Sequence, residues 1–109
     1  MEYVKALEAS LLPAGTMKRV VVGGKDILVA NVAGTYYAMD NKCTHLGGSL
    51  SKGKLDGNIV TCPNHGASFE LTTGKPCTNA KISFLTMKVK PVKCYPVKVQ
   101  EDSLMIEVD

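Results

Sequence analysis

Short apolar runs separated by glycine-containing turns dominate the chain. Residues 20–22, 27–32 and 35–39 form three such runs, divided by the glycine-containing pairs 23–24 and 33–34. Runs of β-branched and aromatic residues joined by two-residue glycine turns are typical of hairpins. This part of the chain therefore predicts an antiparallel meander of three strands.

The second half of the chain continues the β pattern. We expect strands at 58–61 and 68–71, and a hairpin formed by 96–100 and 104–108. Apolar and polar residues alternate along that hairpin, which predicts that one of its faces is buried. The apolar residues of that face are Val97, Val99, Leu104, Ile106 and Val108.

Two segments are ambiguous. Residues 4–12 could form a turn or two of helix ended by Pro13 and Gly15. Residues 79–90 lack a clean period, so that strand and irregular loop both stay open. The predicted fold is all-β, with about eight or more short strands in small antiparallel sheets packed on each other.

Composition narrows the classes of protein that fit this pattern. The 109 residues suit one domain spanning 1–109, and 45% hydrophobic with 21% charged residues argues against disorder. A formal net charge of +3 is too small and too dispersed to indicate a nucleic-acid binder. No run of about 18 apolar residues predicts a membrane span, and the first residues lack a signal-peptide pattern, which favours the cytoplasm.

Both histidines and two of the four cysteines fall within a single pattern. Cys43 and His45 form C-x-H, and sixteen residues later Cys62 and His65 form C-x-x-H. Thiolate and imidazole are ligands both of zinc and of iron with inorganic sulfide. Structural zinc sites usually pair like ligands at close spacing, whereas each pair here is mixed.

Mixed pairs suit a [2Fe–2S] cluster in which both thiolates hold one iron and both imidazoles hold the other. In such a cluster each loop must supply a ligand to both irons, and two mixed loops do so. The spacing therefore favours this cluster over zinc. A structural zinc site and a chance grouping of core cysteines with surface histidines remain as alternatives.

The chain resembles stand-alone Rieske-type ferredoxins over nearly its whole length. The stretches that carry the resemblance are YAMDNKCTHLGG at 37–48, LSKG at 50–53, CPNHGASF at 62–69, TGKP at 73–76 and YPVKV at 95–99. The stretch 77–90 is longer than the usual link of that family. The resemblance implies a Rieske-type fold in which two loops, near 43–48 and 62–68, form a cluster-binding subdomain.

The resemblance also implies one [2Fe–2S] cluster per chain. By the ligation rule of the family, Cys43 and Cys62 hold the inner iron, while His45 and His65 hold the outer iron at an exposed tip. The other residues expected to surround the cluster are Leu46, Gly47, Pro63, Gly66, Ala67 and Phe69.

A low reduction potential is a further expectation from the resemblance. High-potential relatives have a disulfide between the loops at the positions of Gly48 and Asn64, and hydroxyl residues where Ala67 and Phe69 stand. Without hydroxyl donors directed at sulfur, the reduced cluster is less well stabilised. We therefore expect the low end of the Rieske range of about −150 to +300 mV. Phe69 is expected in the core, where it also shields the cluster from water.

The expected function is that of a soluble one-electron carrier between a reductase and an oxygenase or another acceptor. The chain shows no separate substrate-site pattern, so we do not expect an enzyme, and we expect a monomer. The alternative is a small Rieske subunit of a reductase complex, such as an assimilatory nitrite reductase.

Two groups of residues keep more than one interpretation. Lys42, Lys52 and Lys54 flank the first loop and are interpreted as an ordinary solvated face, with docking of an acidic partner as the alternative. Cys77 and Cys94 are interpreted as buried free thiols, with a disulfide between them or a redox or ligand role as alternatives.

Overall fold

Antiparallel strands account for most of the fold. The structure is a computed structural model, and it describes residues 2–42, 49–63, 67–76, 80–82, 85–87 and 91–108. The strands in these ranges are β1 (Glu2–Glu8), β2 (Thr16–Val22), β3 (Lys25–Val32), β4 (Thr35–Asp40), β5 (Lys54–Asp56), β6 (Ile59–Thr61), β7 (Ser68–Glu70), β8 (Ala80–Ile82), β9 (Leu85–Met87), β10 (Cys94–Tyr95), β11 (Val97–Gln100) and β12 (Ser103–Val108). Two short 3₁₀ helices, Ala9–Leu11 and Leu50–Lys52, accompany them. The predicted all-β class is confirmed.

The strands form four antiparallel sheets. The central sheet has the order β10-β4-β3-β2 and contains the predicted meander, and a second sheet has the order β1-β12-β11. A third sheet, β5-β6-β7, carries the segment that begins the second predicted ligand loop, and β8 pairs with β9 in a separate hairpin. The strand alternative for 79–90 is therefore correct where the backbone is described. In the described part of the chain, no helix is long and apolar enough to cross a membrane.

The turns of the meander have the geometry that their sequence predicts. Gly23 and Gly24 join β2 to β3 with φ values of 58° and 77°. Positive φ at both central residues gives the primed turn whose twist matches that of the flanking strands. Ala33 also adopts a positive φ of 53°, and the side chain of Asn31 supports this second turn by accepting the N–H of Gly34 at 2.9 Å.

The weakly predicted helix within 4–12 is wrong. This segment forms β1, which pairs with β12 from Glu2↔Val108 to Glu8↔Ser103, and then continues into the 3₁₀ helix Ala9–Leu11. An isolated helix of this length is marginal in water. Strand β12 instead supplies pairing partners for the segment as far as Glu8, so tertiary pairing decides the conformation of that part.

The predicted C-terminal hairpin is confirmed as β11 and β12, but its predicted face is buried only along β12, and Val97 on β11 is half-buried. Leu104, Ile106 and Val108 are buried, as the alternation predicts. Val99, in contrast, is 46% exposed. It lies on β11, which is the edge strand of its sheet, so its side chain extends past the core.

The central sheet is the middle layer of the molecule, because β3 is buried on both faces. Ile27 and Val29 pack into one apolar cluster with Leu104 and Ile106 of the β1-β12-β11 sheet. Leu28 and Ala30, on the opposite face, join a second cluster, which holds the residues around the predicted cysteine ligand. A strand that is covered on both sides is expected to have a continuous apolar run, and 27–30 is such a run.

Candidate metal centre

The first predicted ligand loop is closed at its base. Lys42 and Ser49 form an isolated antiparallel bridge across the two ends of segment 43–48. Next to them, the N–H of Leu50 donates to the carbonyl oxygen of Asn41 at 2.7 Å. Chain segments that enter and leave the loop are therefore hydrogen-bonded to one another. Four residues of the predicted site on this loop lie outside the described residues, namely Cys43, His45, Leu46 and Gly47.

The second predicted ligand loop is closed in a similar way. Cys62 directly follows β6, and its N–H donates to the carbonyl oxygen of Ala67 at 2.7 Å. On the sheet side of this pair, Thr61 pairs with Ser68 in the β6–β7 ladder, and their hydroxyl oxygens are 3.1 Å apart. Cys62 and Ala67 are both buried. Pro63 is exposed beyond this base, whereas His65 and Gly66 lie outside the described residues.

The bases of the two loops are joined through Gly53. After the first loop the chain forms the 3₁₀ helix Leu50–Lys52, and the N–H of Gly53 donates to the carbonyl oxygen of Leu50 at 3.0 Å. The backbone of Gly53 lies so close to Thr61 that a Cβ at this position would overlap the Thr61 carbonyl oxygen. Glycine alone permits this approach. The exit of the first loop therefore packs against the residue that precedes Cys62.

A cavity of about 380 Å³ opens beside this junction. Its lining residues are Lys52, Gly53, Lys54, Thr61, Cys62 and Pro63. Cys62 is 2% exposed. Because its thiol is not held in a disulfide, its sulfur is available as a metal ligand. No group of three His, Cys, Asp or Glu side chains gathers within the described ranges, which contain only one of the four predicted ligands. The donor chemistry of Cys62 fits an iron–sulfur cluster.

The inner wall of the site is apolar. Ala67 and Phe69 are fully buried and belong to one cluster with Met39, Leu50 and Val60. Neither side chain can donate a hydrogen bond, in agreement with the sequence-based argument about potential. The prediction that Phe69 is a core residue is confirmed.

Cys94 is a free, half-buried thiol, so the alternative of a disulfide with Cys77 is not realised. Its sulfur lies 3.7 Å from the carbonyl oxygen of Leu71, a contact in which the thiol is the donor. Burial raises the pKa of the Cys94 thiol, and the negative charge of Asp40 raises this pKa further. A protonated thiol is a poor metal ligand, which supports the free-thiol interpretation. Cys77 lies outside the described residues.

One part of the site was missed by sequence reasoning. Asn41 is 1% exposed and contacts both sides of the first loop, but nothing in its sequence context marks it as buried. Asparagine before a loop is usually a surface residue. The signal that identifies it is its set of tertiary hydrogen bonds, which appears only in the folded chain.

Comparison with known proteins decides the family. Residues 2–96 match the family described as Rieske [2Fe–2S] domain. The chain belongs to this family. One relative, from Ralstonia sp., is 36% identical over 98 residues, which cover 90% of this chain and 88% of that protein. Its name is "Naphthalene 1,2-dioxygenase/salicylate 5-hydroxylase systems, ferredoxin component".

Solved structures lead to the same family. A chain in the complex of reduced oxygenase and oxidized ferredoxin in carbazole 1,9a-dioxygenase is 35% identical, with a TM-score of 0.78 over 95% of this chain and 91% of that one. The ferredoxin of Sphingomonas yanoikuyae B1 is 28% identical, with a TM-score of 0.81 over 99% of this chain and 100% of that one.

Family membership settles the class of cofactor and the class of function. The Rieske ferredoxin carries one [2Fe–2S] cluster, so the alternative of a structural zinc module is wrong. It is an electron carrier and not itself a catalyst, as predicted. The cluster supplies a site that gains and loses one electron, and the protein supplies the ligands and the environment that tunes its potential.

The buried methyl group of Ala67 yields a prediction about the potential. Ala67→Ser places a hydroxyl beside Cys62, where a hydrogen bond to sulfur would favour the more negative reduced state. A tenfold preference for that state raises the midpoint by about 60 mV. The measurement is a redox titration monitored by EPR.

A matched control for Ala67→Ser is Ala38→Ser. Ala38 is also a buried alanine, but it lies on β4 and packs in the other apolar cluster. Its variant should lose stability without a shift in midpoint. An unchanged or lower midpoint for Ala67→Ser would show that this residue is not near the cluster sulfur.

The close approach of Gly53 to Thr61 yields a second prediction. Gly53→Ala should lower the free energy of unfolding by about 1–3 kcal/mol, because the new methyl group overlaps backbone that cannot move independently. It should also lower the iron content per chain, because it separates the exit of the first loop from Cys62. Chemical denaturation and iron analysis measure the two effects.

Gly57→Ala is the control for Gly53→Ala. Gly57 lies in the turn of the same β5–β6 hairpin, with a φ of 60° and open space around its Cα. Its variant should lose about 1–2 kcal/mol through backbone strain and keep its iron. Full iron content in Gly53→Ala would contradict the role of this contact.

Proposed function

We propose that Cys43 and Cys62 bind the inner iron of the [2Fe–2S] cluster, and that His45 and His65 bind the outer iron. The observation that carries this proposal is the joining of the two loop bases through Gly53 and Thr61. Cys62 lies on that junction as a buried free thiol, and Cys43 is the first residue beyond the closed base of the other loop. Rieske ligation requires one Cys and one His from each loop, and these pairs provide them.

We further propose that the protein accepts electrons from a reductase and passes them to an oxygenase. Support comes from the relatives, which are named ferredoxin components of dioxygenase systems, and from the solved complex of an oxygenase with its ferredoxin. These names favour a separate carrier over a small subunit of a nitrite reductase-like complex.

The proposed carrier acts in the cytoplasm as a monomer. The free thiol of Cys94, which the proposed ligation does not use, suits a reducing compartment, where disulfides are rare. Among the described residues, the exposed large apolar side chains are those of Leu11, Val21 and Val99. Three such side chains do not make the extended apolar surface that an obligate dimer needs.

Ligand variants test the proposed ligation. Cys43→Ser and Cys62→Ser should abolish the rhombic Rieske-type EPR signal that appears on reduction, and His45→Ala and His65→Ala should do the same. The purified protein should contain two iron and two sulfide per chain. Cys77→Ser and Cys94→Ser serve as controls and should keep the signal. Loss of the cluster in a control, with retention in a proposed ligand variant, would show that the ligand set is wrong.

A cationic rim beside Cys62 suggests how the carrier meets its partner. Lys42, Lys52 and Lys54 are all exposed, and Lys52 and Lys54 line the same cavity as Cys62. The ion pairs among the described residues, Lys5–Glu8 and Arg19–Asp26, involve none of these three lysines. Like charges around one opening attract an acidic protein surface and raise its association rate. We therefore favour docking over an ordinary solvated face.

The dependence of electron transfer on salt tests this docking surface. Replacing both Lys52 and Lys54 by Gln should lower the second-order rate of electron transfer to the oxygenase on the order of tenfold at low salt. It should also flatten the dependence of that rate on ionic strength, as measured by stopped flow. The control replaces Lys18 and Lys98, on β2 and β11, and changes the net charge equally. Equal effects of the two pairs would show that net charge acts and that the rim does not.

A further inference from the structure

Asn41 is the most deeply buried polar residue in the described part of the chain. It is 1% exposed, and the other buried polar residue is Asn31, at 5%. Asn41 directly follows β4 and stands two residues before Cys43. A buried amide is tolerated when its donors and acceptor are satisfied, so its partners show what it holds in place.

The side chain of Asn41 joins the two ends of the first ligand loop. Its Nδ2 donates to Oγ of Ser49 at 2.8 Å, and its Oδ1 accepts the N–H of Ser51 at 2.8 Å. The main-chain carbonyl of Asn41 also accepts the N–H of Leu50, at 2.7 Å. Asn41, which precedes the loop, is therefore hydrogen-bonded to the three consecutive residues that follow the loop.

The same asparagine ties the loop to the central sheet. Its main-chain N–H donates to the carbonyl oxygen of Asp26 at 3.0 Å, and Nδ2 lies 3.3 Å and 3.4 Å from the two carboxylate oxygens of Asp26. The same carboxylate accepts a hydrogen bond from Nε of Arg19 at 2.5 Å. Arg19 on β2 and Asp26 on β3 belong to the central sheet, so the base of the loop is hydrogen-bonded to that sheet.

We propose that Asn41 is a positioning residue for the iron–sulfur cluster. It fixes the ends of the first loop relative to one another and to the central sheet, and so fixes the segment that presents Cys43 and His45. A fully satisfied buried polar network is well suited to this task, since every alternative arrangement leaves a donor or acceptor unpaired. The inference rests on the proposed ligation by Cys43 and His45.

Asn31 is the control that distinguishes a positioning role of Asn41 from ordinary structural support. It lies on β3 of the same central sheet, its Nδ2 donates to the carbonyl oxygen of Leu12 at 2.8 Å, and its Oδ1 accepts the N–H of Gly34. Its residue type, burial and hydrogen bonding match those of Asn41, but its partners lie in other turns. A purely structural role would make the two asparagines equivalent in their effect on the cluster.

The experiment compares Asn41→Ala, Asn31→Ala and Ser49→Ala in the holoprotein. Both asparagine variants should lower the midpoint of thermal unfolding. Only Asn41→Ala should shorten the half-life of cluster bleaching in the presence of a chelator, by about tenfold, and shift the g values of the reduced cluster. Ser49→Ala removes one acceptor of the network and should shorten the half-life about threefold.

A charge exchange provides a rescue test. Asn41→Asp places a second carboxylate beside that of Asp26, removes the amide donor and should shorten the half-life as Asn41→Ala does. In the double variant Asn41→Asp with Asp26→Asn, the amide at position 26 donates and the carboxylate at position 41 accepts, the reverse of the native pair. This variant should recover at least half of the lost half-life. Failure of this double variant to exceed Asn41→Asp would contradict a specific donor–acceptor contact.

Several results would overturn the proposal. A wild-type half-life and wild-type g values in Asn41→Ala would do so, as would an equal loss in Asn31→Ala. If Asn41→Ala does not fold, an unchanged half-life in Ser49→Ala overturns it instead. Cys43→Ser distinguishes the two levels of inference. A retained cluster in that variant would refute the ligand assignment, whereas loss of the cluster there with a wild-type Asn41→Ala would refute only the positioning role.

Discussion

Strand β3 holds two layers of the molecule together, because its side chains alternate between two apolar clusters. Ile27 and Val29 hold the β1-β12-β11 sheet on one face. Leu28 and Ala30 join the cluster that contains Cys62, Ala67 and Phe69 on the other. Burial on both faces makes β3 the least free part of the fold. Strand β4, which leads into the first loop, pairs with β3, and residues of β6 and β7 beside the second loop belong to the same apolar cluster as Leu28 and Ala30.

The two loops are held by different kinds of contact. Backbone hydrogen bonding at Cys62 and Ala67 and a fully buried apolar wall support the second loop. Polar contacts of Asn41 with Ser49, Ser51 and Asp26 support the first. An electron carrier gains from such rigidity, because small changes in ligand geometry and in hydrogen bonding to sulfur shift the potential.

The exposed lysines beside Cys62 and the buried residues around its sulfur also have distinct physical roles. Exposed lysines contribute little to stability, since solvent screens them, but they act at long range on an approaching protein. Lys52 and Lys54 line the same cavity as Cys62, so attraction by these charges would bring a partner to the cofactor. Recognition and electron transfer are then served by one surface of a small domain.

Some elements could not be predicted from local sequence. Residues 4–12 have a weak helical pattern, yet pairing with β12 makes 4–8 a strand. Val99 continues an alternating pattern but is exposed, since it lies on an edge strand beyond the core. Asn41 has no sequence mark of burial, because its partners Asp26 and Ser49 lie 15 and 8 residues away and are brought to it by the fold.

By itself, the sequence determined the all-β class, the meander, the type of cofactor and the four residues proposed to bind it. These features are local: two-residue glycine turns, alternation with a period of two, and close spacing of Cys and His all act within a few positions. Only the tertiary structure decided how the loop bases meet at Gly53 and Thr61 and which polar residue closes the first loop. Those contacts depend on strand pairing and on sheet packing, which join residues that no short pattern links.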